Sequence, residues 1–170
     1  DLCHMQLMQS HLLKTFTANF DPEEDRIRLD CILVIGKQSQ VFFTNRLSKV
    51  FIKELINQID TISDVKGSHE LIHDFACSSR ENQEPVEISH KDTEHWLTKS
   101  IDFVKLEKTL RIIFKDDKTY AVHLEGDEVL LRNILDIFYK IFLTAGWDTN
   151  IFPSWVDASK VNVNSSMAMH

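Results

Sequence analysis

Leu110–Ala145 reads LRIIFKDDKTYAVHLEGDEVLLRNILDIFYKIFLTA, and its periodicity changes once. Leu110, Ile112 and Phe114 recur at every second position, as do Tyr120, Val122 and Leu124, which is the two-residue period of strands with one face in the core. Lys115-Asp116-Asp117-Lys118 between them has the composition of a hairpin loop. After Gly126 the period lengthens. Leu131, Ile134, Leu135, Phe138, Ile141, Phe142 and Ala145 recur at helical spacing, acids stand at the helix entry where its dipole favours them, and Gly146 follows as the C′ residue. A strand at Ile101 and Phe103 precedes the hairpin, so the unit is three strands and a helix.

The same order of elements occurs earlier. Lys14–Phe20 (KTFTANF) alternates, with Phe16, Ala18 and Phe20 on one face. Asp21-Pro22-Glu23-Glu24-Asp25 is turn chemistry, since proline presets φ and the acids favour a loop. It lacks the glycine and the ligand spacing of an EF-hand loop. Arg26–Ile35 resumes with Ile27, Leu29, Cys31, Leu33 and Ile35 inward, and Gly36-Lys37 turns the chain into Val41-Phe42-Phe43. Thr44 or Asn45 can cap a helix to about Ile62, with Leu47, Val50, Phe51, Leu55, Ile59 and Ile62 as its stripe.

These patterns predict an α+β fold: a duplicated β-β-β-α unit, antiparallel meanders with two long helices packed on the sheet, in a pseudo-two-fold arrangement. At an offset of 81 to 84 residues Leu29 falls on Leu110, Val41 on Val122, Phe43 on Leu124 and Val50 on Ile134. The chain is expected to form one domain, with half 1 at 12–64, a connector at 65–95, half 2 at 96–147 and a C-terminal arm at 148–170. In the connector the patterning predicts a short helix near Glu70–Ala76, a loose stretch from Cys77 to Pro85 and a strand at Val86–Ser89. Pro153 forbids a continuing helix in the arm, and residues 157–170, small and polar, are expected to be mobile.

Composition bounds the function. The net charge of −7 opposes non-specific attraction to nucleic acid and acidic membranes. Four glycines leave no phosphate cradle, and GxSxG, P-loop and GxGxxG motifs are missing from the sequence. Cys3, Cys31 and Cys77 make an odd count without a CxxC pair, a pattern suited to a reducing compartment. No run reaches the roughly 18 apolar residues of a membrane span. With no signal layout at the N-terminus, a cytoplasmic location is expected. Met5 or Met8 is the expected natural start, with Asp1–His4 added ahead of it.

One motif carries possible metal chemistry. His69-Glu70-Leu71-Ile72-His73 matches HExxH, in which two histidines one helical turn apart hold zinc and the glutamate serves as base. The chain has 8 histidines, so such a pair arises readily by chance, and a third ligand would have to come from Glu84, Glu87, Glu94, His90 or His95 in an unpatterned region. No catalytic residue, metal ligand or cofactor is therefore assigned.

The strands also carry apolar residues on the face away from the helices: Ile32, Val34 and Phe42 in the first unit, Val104, Ile113 and Ala121 in the second. A sheet face open to water would be polar, so something covers them, whether the connector, the arm, the other half or a second chain. The arm adds Trp147, Ile151, Phe152 and Trp155, large side chains that dock on their own domain or latch a neighbour. The partner-binding candidates are accordingly Ile32, Val34, Phe42, Val104, Ile113, Trp147, Phe152 and Trp155. The expected function is that of a small cytosolic, non-enzymatic accessory or scaffold protein acting through protein–protein binding, with a homodimer as one form.

In element order the doubled unit resembles the single-stranded nucleic-acid binders of the whirly and PUR type. The resemblance implies a second function, single-strand binding on a sheet face, although those units carry four strands before the helix. Arg26, Arg28, Lys99, Lys105 and Arg111, the cations such a face would use, are interspersed here with acids. A zinc hydrolase built on residues 69–73 is the third alternative.

Overall fold

The computed structural model describes residues 9–63 and 67–158. The expectations for Asp1–His4, for the start at Met5 or Met8 and for most of the 157–170 tail fall outside them. The fold is mixed α+β: a seven-stranded curled sheet with helices.

The first meander consists of β1 (His11–Asp21), β2 (Arg26–Leu33) and β3 (Gln38–Phe43), paired antiparallel in sequence order. Alternation does what it predicts here, because Ile27, Leu29, Cys31, Leu33, Val41 and Phe43 are all buried. Ile35 instead lies beyond the end of β2, in an exposed turn. Helix α1 (Asn45–Ile62) follows, capped by the Thr44 hydroxyl, which accepts from Leu47 N–H. Its buried stripe is Ser48, Phe51, Ile52, Leu55 and Ile59. Val50, expected inside, is 57% exposed, so the stripe lies about a sixth of a turn from where the apolar pattern put it.

Helix α2 (His69–Ser78) is longer than expected. The strand expected at Val86–Ser89 does not form. That segment crosses the outer face of the first meander and is held through side chains: Val86 N–H donates to Thr17 Oγ1, Ser89 N–H donates to the Gln38 carboxamide oxygen, and Gln38 Nε2 donates to Glu87 O. The connector thus overlies the strand face that carries Thr15, Thr17 and Gln38.

The strand that does form comes later, as β4 (Glu94–Leu97), and pairs in parallel with β3. Two residues on, the chain enters β5 (Ser100–Lys105), which begins a second antiparallel meander with β6 (Leu110–Lys115) and β7 (Ala121–Gly126). Asp116 shapes the β6–β7 loop, its carboxylate accepting from Lys118, Thr119 and Tyr120 N–H. Desolvation pushes the Asp116 carboxyl up, but those backbone donors outweigh it and hold it below its usual range.

Strand order across the sheet is β4-β3-β2-β1-β7-β6-β5. β4 and β5 are therefore the two edges, yet only Thr98 and Lys99 separate them in sequence. Thr98 N–H donates to Phe42 O at 2.9 Å and Lys99 N–H to Lys115 O at 2.7 Å. Consecutive residues thus bond to β3 and β6, each the neighbour of an edge strand at opposite ends of the order, so the sheet curls to bring β4 and β5 near each other. The meanders are antiparallel, as expected, but they join through parallel pairs, β3 with β4 and β1 with β7.

Helix α3 (Glu128–Ala145) is capped at both ends. The Asp127 carboxylate accepts from Val129 and Leu130 N–H, and Gly146 closes the C-terminus at φ 70°, a conformation glycine adopts without steric cost. Gly126 is needed for a different reason, since a Cβ there would lie 2.1 Å from Leu130 Cδ2. Inside the curl Phe51 is the hub, with ring centroids 5.2 to 6.2 Å from those of Phe43, Phe103, Phe114 and Phe138. The arm folds back on this core and forms α4 (Ser154–Ala158), which starts directly after Pro153. Proline forbids a helix running through it but sits well just ahead of one.

Phe51→Ala empties the centre of this cluster and is expected to cost about 3–5 kcal/mol, read as a lower urea midpoint at unchanged slope. The β1–β7 joint gives a pH test. Its register is only His11↔Val122 and Leu12↔His123, with Ser10 Oγ 2.6 Å from His123 Nδ1. Burial, then the Arg111 guanidinium and more weakly His11, lower the His123 pKa against an opposing pull from Glu125. The folded state therefore binds the proton less readily than the unfolded chain. Stability is fully present above the unfolded value, about 6.5, and declines as pH falls through it towards the lower folded value. His123→Asn should flatten that part of the profile of melting temperature against pH, and an unchanged slope would exclude this residue as its source.

Candidate functional site

Helix α2 is amphipathic in an unusual sense. Its fully buried residues are His73 and Ala76, while Leu71 and Phe75 are 73% and 75% exposed. The polar positions face inwards because α3 presents polar groups there. Arg132 and Asp136, one turn apart on α3, are both buried.

Arg132 is held by three groups. Its Nε donates to Glu128 Oε1 at 3.1 Å, and Nη2 lies 3.0 Å from both that oxygen and His69 Nδ1. The guanidinium carbon stands 5.0 Å from the centroid of Trp155. Trp155 also stacks on His69 at 5.1 Å and meets His73 edge-on at 4.9 Å. One turn further along α3, Asp136 Oδ2 accepts from Arg80 Nη2 at 3.1 Å and from Lys140 Nζ at 3.0 Å. Arg80 reaches Asn133 as well, which in turn donates to Ala76 O. A polar seam thus joins α2, α3 and α4.

Two hollows flank this seam. One, of about 530 Å³, is an open groove between the outer side of α2 and the start of α3, lined by Leu71, Phe75, Ala76, Glu128, Val129 and Arg132. The other, of about 550 Å³, lies under Arg80–Gln83 between β1 and α3, with Phe16, Leu130, Ile134 and Ile137 in its wall and Lys140 beside them.

The two histidines of the HExxH match do different work. His69 has one ring nitrogen 3.0 Å from the Arg132 guanidinium and the other 3.5 Å from Asp60. A cation beside a ligand nitrogen opposes a second cation on it. His73 turns instead towards Cys77 and Asp136, and the three offer ligand atoms that all lie within 4.8 Å of one another. Glu70 is exposed.

The residues expected to bind a partner do not come together. Ile32, Phe42 and Ile113 are half-buried, and Val34 and Val104 are exposed on separate elements. Ala121 is buried. Phe152 belongs to the core, edge-on to Tyr139 and Phe142. Trp147 lies edge-on to Phe20 and Phe142, its indole N–H donating to Asp25. Trp155 backs the seam. The groove is not legible in the sequence, where Leu71 and Phe75 simply fall within the short helix expected near Glu70–Ala76. Their i,i+4 spacing was visible, but not the side of the helix that would meet the protein.

Comparison with known protein families, with curated proteins and with solved structures finds no match to this chain. Among the described residues no helix is long and apolar enough to cross a membrane.

The seam gives a direct test. Arg132→Ala leaves Glu128 and Trp155 without their shared cation and is expected to destabilise the fold by about 3 kcal/mol, measured by urea unfolding. Arg132→Lys should recover only part of that loss, because an ammonium cannot span the same fork of partners.

Proposed function

We propose that this protein is a binding module that captures a helical segment of another protein in the groove between α2 and α3. The observation that carries the reading is the outward placement of Leu71, Phe75 and Val129, which are 73%, 75% and 45% exposed around one concavity. Exposed apolar side chains gathered at a groove are what a helix-in-groove interface needs. Charge indicates the kind of partner. Glu70, Asp74 and Glu128 stand on or beside the groove's rim, in a chain of net charge −7. A segment with an apolar stripe and basic flanks complements that rim, whereas a second copy of this chain would bring like charge to it. The residues expected from the sequence to bind a partner would then serve the fold or secondary contacts, with Trp155 supporting the groove from behind.

We also read the chain as an internal duplication with pseudo-two-fold character. Two three-stranded meanders each lead into an 18-residue helix, and the parallel pairs β3–β4 and β1–β7 occupy corresponding places. Leu29 and Leu110, Val41 and Val122, and Phe43 and Leu124 are buried in both halves. On this reading α2 has no counterpart in the second half, and the groove forms where it meets the repeated helix α3. A cytoplasmic location remains our expectation for such a module.

A labelled synthetic peptide with a leucine stripe and lysine flanks tests the reading by fluorescence anisotropy. It should bind at micromolar concentration, while a scrambled peptide of equal composition binds at least roughly tenfold more weakly, the gap that about 1.4 kcal/mol of apolar contact provides. Phe75→Ser and Leu71→Ser should each remove that preference while leaving the melting temperature nearly unchanged, because both side chains are already in water. Equal binding of the two peptides would overturn the proposal. So would sedimentation showing that the groove is filled by a second copy, with a dimer that Phe75→Ser dissociates.

A further inference from the structure

α2 has little apolar surface holding it down. Its only fully buried side chains are His73 and Ala76, Ile72 and Cys77 are half-buried, and Leu71 and Phe75 face outwards. A helix of 10 residues does not hold a fixed position by intrinsic propensity. What its inner face offers instead is a set of metal-ligand atoms. His73 and Cys77, at i and i+4, project from the same side of α2, and Asp136 projects from α3 to meet them.

We propose that His73, Cys77 and Asp136 bind a zinc ion that ties α2 to α3. Zinc–sulfur bonds near 2.3 Å and zinc–nitrogen bonds of about 2.0–2.1 Å, at a tetrahedral angle, put the two donor atoms about 3.5 Å apart. Cys77 Sγ and His73 Nε2 stand 3.6 Å apart. All three donors lie within 4.8 Å of one another, so a shift of about 1 Å brings the carboxylate into the same shell. The donor set suits zinc in kind, since thiolate and imidazole select a borderline-soft ion over magnesium or calcium. It suits zinc in charge as well, because one thiolate and one carboxylate balance a divalent cation.

Arg80 and Lys140 both engage Oδ2 of Asp136. They can stay there while the carboxylate ligates through its other oxygen, fixing its orientation as outer partners of metal ligands do. Binding takes a proton from the Cys77 thiol, so affinity rises with pH. Three protein ligands leave a fourth position for water. This site differs from the HExxH arrangement. It uses one of that motif's two histidines and places His69 on Arg132 and Trp155 instead. It stands whatever occupies the groove on the opposite side of α2.

The test uses the full chain, stripped with a chelator and titrated with Zn²⁺ and with Co²⁺ as a spectroscopic probe. One equivalent should bind. The Co²⁺ form should show thiolate-to-metal charge transfer in the near ultraviolet and the visible bands of a tetrahedral site, and zinc should raise the melting temperature. Cys77→Ser should abolish the charge-transfer band and Asp136→Asn should weaken binding, while His69→Gln, Glu70→Gln and Cys3→Ser leave the spectrum unchanged. X-ray absorption on the zinc form of the unaltered protein needs no variant to fold and should find one sulfur among the ligands. Failure to bind metal, a zinc shell without sulfur, or a charge-transfer band that survives Cys77→Ser would each overturn the site. Binding that is lost in His69→Gln and kept in Cys77→Ser would overturn it in favour of the HExxH arrangement.

Discussion

The sheet depends on two peptide groups. Thr98 and Lys99 donate their N–H groups to Phe42 on β3 and to Lys115 on β6, strands that stand next to the two opposite edges. An open seven-stranded sheet would present two edges to solvent, each a template for unwanted pairing. Running β4 into β5 across two residues brings those edges together. Thr98 is buried, as a residue at such a junction must be. The curl also forms a concave inner surface that sheet side chains alone do not fill, and α1 and α3 supply the remainder through the cluster centred on Phe51.

Closure explains why the meanders were legible in the sequence and their joining was not. Within each meander every inward residue meets core, so alternation at Ile27, Leu29, Cys31 and Leu33, and at Leu110, Ile112 and Phe114, reports burial directly. The caps at Thr44, Asp127 and Gly146 are local chemistry and read just as directly. β4 is only four residues, EHWL, with Trp96 its one buried side chain. Its partner β3 lies some 50 residues back, and no local pattern announces a parallel pairing across that distance. Val86–Ser89 misled for the opposite reason. It has a strand's composition, but its hydrogen bonds go to the side chains of Thr17 and Gln38 rather than to a neighbouring strand.

The candidate site was legible in halves. The spacing of His69, His73 and Cys77 along α2 is visible in the sequence, and HExxH drew notice to the right helix. Arg132 and Asp136 were not visible as site residues. On a helix whose apolar face is as broad as that of α3, two charges one turn apart mark the solvent side by ordinary reckoning. They are buried because α2 and α4 lie over them, and where those two helices dock is a tertiary outcome. The polar second face of α3 and the outward face of α2 are both set by how these helices pack on each other rather than by their exposure to water.

The seam these helices form differs in kind from the core beneath it. Phe51 and its neighbours gain from burial in proportion to area, and no partner has to be met at a particular angle. Arg132 with Glu128 and His69, and Asp136 with Arg80 and Lys140, gain only when their geometry is kept, since desolvating a charge offsets most of what its pairing returns. Such a seam fixes the register of α2 and α4 on α3 while adding modestly to stability. It also separates functions that a purely apolar contact would merge. The hydrocarbon that α2 would otherwise bury stays outside, as Leu71 and Phe75, because polar contacts already position the helix. An apolar groove can therefore persist on a stable domain when the element that displays it is held from behind by polar and ring contacts.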